Sequence, residues 1–309
     1  MRFTTVGLVT VAAGFAGLGY SFVEAGAFTV RRCTVPVLPV GTSPLRVLHV
    51  SDLHLVPRQR RKALWMRKLA GLEPDLVIST GDTMAARDAV QAALWAYEPL
   101  LRLPGVFVLG SNDYFAPQPK NPARYLRAKR RNTVGEPLPV SDLVRGFRDA
   151  GWHDLTNRRT HVKVDGHELE FVGVDDPHLR LDRYARVAAP ADPAASLTVG
   201  VCHAPYRRVL DAMAADGARL ILAGHTHGGQ LCIPFRGAIV TNCDIDRPRA
   251  KGLSRWSPGG HPVPPDDPDA AWLHVSAGLG TSPYTPVRFA CRPEATLLTL
   301  TPRDPDTRR

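Results

Sequence analysis

Cysteine is scarce in this chain and is not arranged in pairs. The five cysteines, Cys33, Cys202, Cys232, Cys243 and Cys291, are odd in number and form no Cys-x-x-Cys spacing. That argues against a disulfide framework, although a single Cys232–Cys243 bridge stays open, and it favours a reducing compartment. No internal repeat occurs, and no helix-turn-helix, zinc-finger or RNP-like signature, so a dedicated nucleic-acid reader is not indicated. Acidic charge is short: 29 Asp and Glu against 39 Lys and Arg leave a net charge of +10. Such a surplus suits nucleic acid, an anionic membrane surface or an anionic substrate, and equally a basic soluble surface.

What is present is globular. Of 309 residues, 44% are hydrophobic and 22% charged. That is enough for one large α/β domain or two small ones. The 28 prolines fall mostly in loops and near the C-terminus, as in a fold that carries many loops on a rigid sheet.

Residues Val6–Val23 read VGLVTVAAGFAGLGYSFV, 18 residues without a charge. This is near the minimum for a helix that spans a bilayer. An N-terminal transmembrane anchor (residues 1–30) is therefore expected. A cleaved signal with a site near Ala25-Gly26-Ala27 and a buried helix of the domain are the other readings. A single-pass protein of the cell membrane follows from the first. Arg31 and Arg32 after the span, against Arg2 before it, tilt the catalytic domain only slightly toward the cytoplasm. Residues 31–44, broken by Pro36, Pro39 and Pro44, are expected to be a tether, and residues 303–309 a polar tail.

From Leu45 the pattern alternates. Apolar strand-like runs at Leu45–Val50, Asp75–Thr80 and Gly105–Leu109 are separated by helical stretches near Arg58–Gly71 and Arg87–Leu101. This β-α-β-α-β order predicts parallel pairing with helices outside. Later runs at Leu169–Val174, Leu197–Cys202, Arg219–Ala223, Trp272–Ser276 and Ala295–Leu300 have few helices between them, which predicts a second, mixed sheet. One domain over residues 45–302 is expected.

A polar block follows the carboxyl end of each of several strands, the edge at which open α/β sheets bind ligands. Asp52-Leu53-His54 sets two alternate ligand side chains on one turn. Gly81-Asp82 is the next block, and Gly110-Ser111-Asn112-Asp113 the third. His203 follows a fourth strand, and Gly224-His225-Thr226-His227-Gly228-Gly229 a fifth. Taken singly, most of these read as turns or caps. The fifth does not: from the chain's own composition, Gly-His-x-His is expected roughly 0.03 times by chance. Together the blocks offer two carboxylates, one amide and four imidazoles. That set suits two ions of Mn, Fe or Zn better than Mg or Ca, which prefer oxygen shells.

In this order the blocks resemble the calcineurin-like metallophosphoesterase superfamily, over about Leu45 to Leu300. The GHTHGGQ form and the N-terminal segment resemble its bacterial membrane-associated branch. The resemblance implies a four-layer α/β/β/α sandwich with two mixed sheets. It implies that Asp52, His54 and His227 hold one metal, that Asn112, His203 and His225 hold the other, and that Asp82 bridges them. It implies hydrolysis of a phosphate ester or diester by a metal-activated hydroxide, on a substrate such as a lipid- or nucleotide-linked phosphate of the UDP-2,3-diacylglucosamine type.

One block departs from the pattern. Where the superfamily has Gly-Asn-His and an acid, this chain has Gly110-Ser111-Asn112-Asp113. Asn112 keeps a metal role if Ser111 is an insertion, and Asp113 then takes the place of the proton-donating His. Asp113, Asn112 and His203 are accordingly the expected catalytic residues. An ordinary Asp is a poor acid at neutral pH, so a good leaving group or another donor is expected. His49 and Thr226 are candidates to orient the imidazoles. After the third block, Lys120, Arg124, Arg127, Lys129, Arg130 and Arg131 form a basic loop, with Tyr114, Phe115 and Tyr125 as a possible apolar lip. A non-catalytic metal-binding scaffold and a nuclease are the competing functions.

Overall fold

The structure is a computed structural model that describes residues 14–119, 135–261, 263–264, 267 and 270–303. Two six-stranded sheets lie face to face. The first contains β1 (Thr29–Leu38), β2 (Leu45–Val50), β3 (Leu76–Ser79), β4 (Gly105–Phe107), β5 (His153–Asp154) and β14 (Glu294–Pro302), in the order β1-β14-β2-β3-β4-β5. The second contains β6 (Arg158–Val164), β7 (His167–Gly173), β8 (Leu197–Val201), β9 (Leu220–Ala223), β12 (Gly252–Trp256) and β13 (Ala271–Val275), in the order β12-β13-β9-β8-β7-β6. A small hairpin, β10 (Cys232–Ile233) and β11 (Gly237–Ala238), stands apart.

The alternating strand pattern explains the layering. Leu45 and Val47 of β2 face the second sheet and meet Phe171, Val199, Val201 and Leu222. Leu48 and Val50 point the other way, onto α2 (Arg60–Lys68), α3 (Val90–Tyr97) and α5 (Val140–Asp149). On the far side, Ile221 and Ala223 of β9 pack against Val209, Leu210 and Met213 of α6 (Arg207–Ala215). The result is the expected α/β/β/α stack of two mixed sheets. In the first sheet β2, β3, β4 and β5 run parallel, as the early β-α-β-α-β order predicts.

One expectation is corrected, and a second is not met among the described residues. The stretch 31–44 is not a free tether. Most of it is β1, parallel to β14 along the edge of the first sheet. An edge position is what allows Pro36 in a strand, because one side of the ladder needs no N–H there. The transmembrane helix is also not found: among the described residues, no helix is long and apolar enough to cross a membrane. Residues 14–24 are helical (α1). Residues 6–13 of the expected span lie outside the described residues. The end of α1 is docked on the domain. Arg288 N–H donates to the Ser21 carbonyl, and the buried Glu24 carboxylate accepts from Ala290 N (2.9 Å) and Cys291 N (2.8 Å).

Candidate metal centre

Parallel strands deliver their carboxyl ends to one rim, and loops from both sheets meet there. Asp52 and His54 leave β2, Asp82 leaves β3 and Gly110–Asp113 leave β4. His203 follows β8, and His225 and His227 follow β9. The first two loops run side by side, with His54 N–H donating to the Asp82 carbonyl and Leu55 N–H to that of Thr83. Asp52, His54, Asp82, His225 and His227 all have φ between 43° and 69°. This left-handed backbone is uncommon for any residue but glycine and costs of order 1–3 kcal/mol at each position. Five such residues in one cluster mark a place where the fold holds side chains against local preference.

The side chains converge as two groups of possible metal ligands: Asp52, His54 and His227, and Asp52, Asp82 and His203. His54 Nε2 lies 3.2 Å from His227 Nε2 and 3.9 Å from Asp52 Oδ1, and His227 Nε2 is 3.6 Å from Asp52 Oδ1. Donors placed about 2.1 Å from a tetrahedral ion stand about 3.4 Å apart, so this triangle has the dimensions of a ligand set. Asp82 faces both ways: Oδ2 is 3.4 Å from His54 Nε2, and Oδ1 is 3.5 Å from His203 Nε2.

Neighbouring carbonyls orient two of the rings. His203 Nδ1 donates to the Thr80 carbonyl (2.7 Å), and its buried Nε2 has no hydrogen-bond partner. His227 Nδ1 lies 3.1 Å from the Gly280 carbonyl, which turns Nε2 toward the cluster. Backbone contacts of this kind orient metal-binding imidazoles. Burial pushes His54 down to about 4 and His225 and His227 well below the ordinary imidazole value, so these rings are neutral and offer lone pairs. Burial alone would raise Asp82, but the His203 imidazole beside it holds the carboxyl well below the usual range. His203 is drawn well above its own usual value by the same contact. Asp52 is raised to about 6, first by burial. Buried neutral imidazoles, an unpartnered ring nitrogen and a shared carboxylate fit a pair of divalent ions.

Glycine is needed for this approach. A Cβ on Gly110 would collide with Asp82 Oδ1 and the His203 ring, and one on Gly224 would collide with Ser51 and Asp52.

His225 is less central than expected. Its backbone N–H donates to Asp52 (2.9 Å), while its ring lies 5.2 Å from that of His203 and 4.5 Å from that of His178, with Nε2 3.4 Å from Asn242. Asn112 gives both its backbone N–H and its side-chain amide to the two oxygens of Asp82, each at 2.7 Å.

Asp113 is held by backbone N–H groups. A short helix, α4 (Ser111–Tyr114), starts directly after it, with Gly110 as its N-cap. Asp113 is fully buried and accepts four backbone N–H groups: Thr83 and Met84 on Oδ1, Asp82 and Gly110 on Oδ2. Burial and then Asp82 raise its carboxyl to about 7, yet both oxygens are engaged as acceptors. It ties the third block to the second.

The suggested orienting residues are also located. His49 does not touch an imidazole of the cluster. It joins a buried chain from His274 (2.9 Å) through Thr80 (2.9 Å) and Ser51 to Asp52. Thr226 accepts from Gly228 N–H and donates to the Ala250 carbonyl, closing the turn that carries His227. Tyr114 hydrogen-bonds Asp175 (2.7 Å). Tyr125 and the basic residues from Lys120 to Arg131 lie outside the described residues.

Several site residues were not anticipated. Asp176 and His178 follow β7 just as the other blocks follow their strands, a signal present in the sequence. Arg288 is fully buried and fastens the carbonyls of Ala277, Gly278 and Gly280, with Nη2 3.3 Å from His227 Nδ1. Lys62 is buried, holds the Leu53 and His54 carbonyls, and is lowered to about 7, mainly by burial. Neither has a sequence signal: Arg288 has no charged neighbour before Arg292, and Lys62 ends the basic run Arg58–Lys62, which reads as a solvated helix face. All described cysteines are free, so the Cys232–Cys243 bridge is absent.

A profile of the calcineurin-like phosphoesterases matches residues 45–229. The chain is 28% identical over 304 residues to the uncharacterised protein YpbG of Bacillus subtilis, covering 95% of both chains. It is 24% identical over 305 residues to the phosphodiesterase YaeI of Escherichia coli, covering 97% of this chain and 98% of that one. A Bos taurus transmembrane protein with a metallophosphoesterase domain shares 26% over 231 residues, 72% of this chain and 49% of its own. Among solved structures, a 5'-nucleotidase precursor from Thermus thermophilus covers 83% of this chain and 55% of its own at 13% identity, with a TM-score of 0.45.

Proposed function

Because the chain belongs to the calcineurin-like phosphoesterase family, and is thus a metal-dependent hydrolase of phosphoric esters that uses two divalent ions, we propose that it cleaves a lipid- or nucleotide-linked phosphate ester or diester while tethered to a membrane by its N-terminal segment. The observation that carries the site assignment is Asp82, one carboxylate whose two oxygens face imidazoles of two different groups. Asp52, His54 and His227 hold one ion, and His203 and His225 the other, with Asp82 between them. Asn112 steadies Asp82 through two hydrogen bonds. When bound, the ions polarise the phosphoryl group and bring the pKa of a water toward 7. The chain's part is to keep three imidazoles neutral by burial, to orient His203 and His227 on backbone carbonyls and to hold the strained turns in place. The tether reading rests on the 18 uncharged residues Val6–Val23, the last of which form α1 on the domain.

The test is turnover of bis-p-nitrophenyl phosphate and p-nitrophenyl phosphate with added Mn, Fe or Zn. Asp82→Ala is expected to lower kcat/KM by more than the roughly 10–100-fold typical of losing a supporting residue, and His225→Ala is expected to follow it. No turnover with any of these ions would leave the non-catalytic scaffold standing. Loss of the full chain from the membrane fraction on alkaline carbonate extraction would remove the tether from the proposal.

A further inference from the structure

The turn that carries His227 runs straight into an apolar projection. His227, Gly228 and Gly229 are followed by Gln230, Leu231 and the hairpin β10–β11, whose tip is Pro234-Phe235-Arg236. Leu231, Ile233 and Phe235 are exposed, Phe235 completely (relative exposure 108%). Phe235 also has a φ of +65°. A bulky aromatic in left-handed backbone at a fully exposed tip is unfavourable in water on both counts.

This hairpin is continuous with α1. Leu231 forms a bridge with Phe289, and the Phe289 ring meets Tyr20 of α1 edge-on at 5.7 Å. The outward face of α1 adds exposed Leu18, Phe22 and Val23. The patch adjoins the site wall, because Arg288, next to Phe289 in the chain, points inward toward His227 while Phe289 points out to Tyr20.

Resting on the phosphoesterase reading above, we propose that the β10–β11 tip and the outward face of α1 form one bilayer-docking surface that presents the metal centre to phosphoesters lodged in the membrane. Two observations identify the occupant as lipid. α1 itself is uncharged from Gly14 to Val23, so the helix beside the hairpin is apolar along its length. Exposed Arg236 beside Phe235 pairs a cation with an inserting aromatic, which suits a headgroup layer with acyl chains beneath it. The substrate class is then an amphiphilic phosphoester whose phosphate sits at headgroup depth. Hydrolysis adds water across its P–O bond, hydroxyl to phosphorus and proton to the departing oxygen.

The experiment uses the full chain reconstituted in phosphatidylcholine–phosphatidylglycerol vesicles. In Phe235→Trp, the fluorescence added over the parent protein is expected to be quenched by acyl-chain-brominated lipids. Vesicle-bound protein with no added quenching overturns the proposal. Association of copies that is lost in Phe235→Asp, without quenching, overturns it in favour of a second copy. In Ile233→Asp/Phe235→Asp, turnover of an alkyl p-nitrophenyl phosphodiester held in the vesicles is expected to fall about tenfold, one decade of affinity, with bis-p-nitrophenyl phosphate turnover unchanged. An equal effect on both substrates, or on neither, overturns it. A parent protein inactive on the soluble diester would sink the phosphoesterase reading instead, and the quenching arm would still decide the docking surface.

Discussion

Asp113 accepts four backbone N–H groups from two separate loops, which makes it a fastener of the site. Asp113→Asn keeps the shape but turns one acceptor into a donor aimed at N–H groups. A loss of about 2–3 kcal/mol is expected from urea unfolding, the cost of leaving buried donors unmet; an unchanged midpoint would remove the role assigned to it. With Asp113 committed in this way, and Asn112 engaged with Asp82, the third block offers no imidazole to protonate a leaving oxygen. The rate is therefore expected to fall steeply as the leaving group becomes more basic, from nitrophenyl to phenyl to alkyl diesters. A positioned acid contributes about 10²–10⁴-fold, and a flat dependence on leaving-group pKa would show that another residue supplies the proton.

The elements carry a second polar feature, between the sheets rather than at their rim. His49 of β2 and His274 of β13 meet at 2.9 Å inside the otherwise apolar layer, and the chain of contacts runs on through Thr80 and Ser51 to Asp52. Burial lowers His274 from 6.5 to about 4. Between those pH values the unfolded chain binds a proton that the folded chain does not. Stability is therefore lost as pH falls through this window, by about 3 kcal/mol for a shift of this size. In His274→Gln the slope of unfolding free energy against pH is expected to shrink by about one proton between pH 4 and 6.5. An unchanged slope would show that His274 does not titrate on unfolding.

For the whole molecule, the strained turns and desolvated imidazoles are costs that bound ions offset. Chelation is expected to lower the thermal midpoint, and Mn or Zn to restore it. An ion at about a hundred times its Kd stabilises the fold by about 2.7 kcal/mol. A midpoint indifferent to chelator and metal would argue that the turns are held by the fold alone. The same scale shows how much was readable beforehand. Each strand expected from Leu45 onward is present, because a buried strand needs an uninterrupted apolar run and such runs are visible. β1 was missed because Pro36 and Pro39 mark a break in sequence, whereas at a sheet edge a proline costs little. The backbone contacts of Asp113 were not readable in the Gly110–Asp113 block, because spacing alone does not tell which residue opens a short helix.

By itself the sequence determined the two-sheet fold and the order in which the carboxylate, amide and imidazole blocks arrive, since apolar periodicity and side-chain chemistry are local properties. It also contained the Gly-His-x-His turn, whose glycines allow a close approach. Only the tertiary structure decided how those side chains are used. It aimed the two oxygens of Asp82 at different imidazoles, turned Asp113 into a backbone clamp, brought Arg288, Lys62 and His178 to the site, and set α1 beside the β10–β11 hairpin. The physical reason is that these roles depend on distances between residues far apart in the chain, and strand pairing and packing alone set those distances.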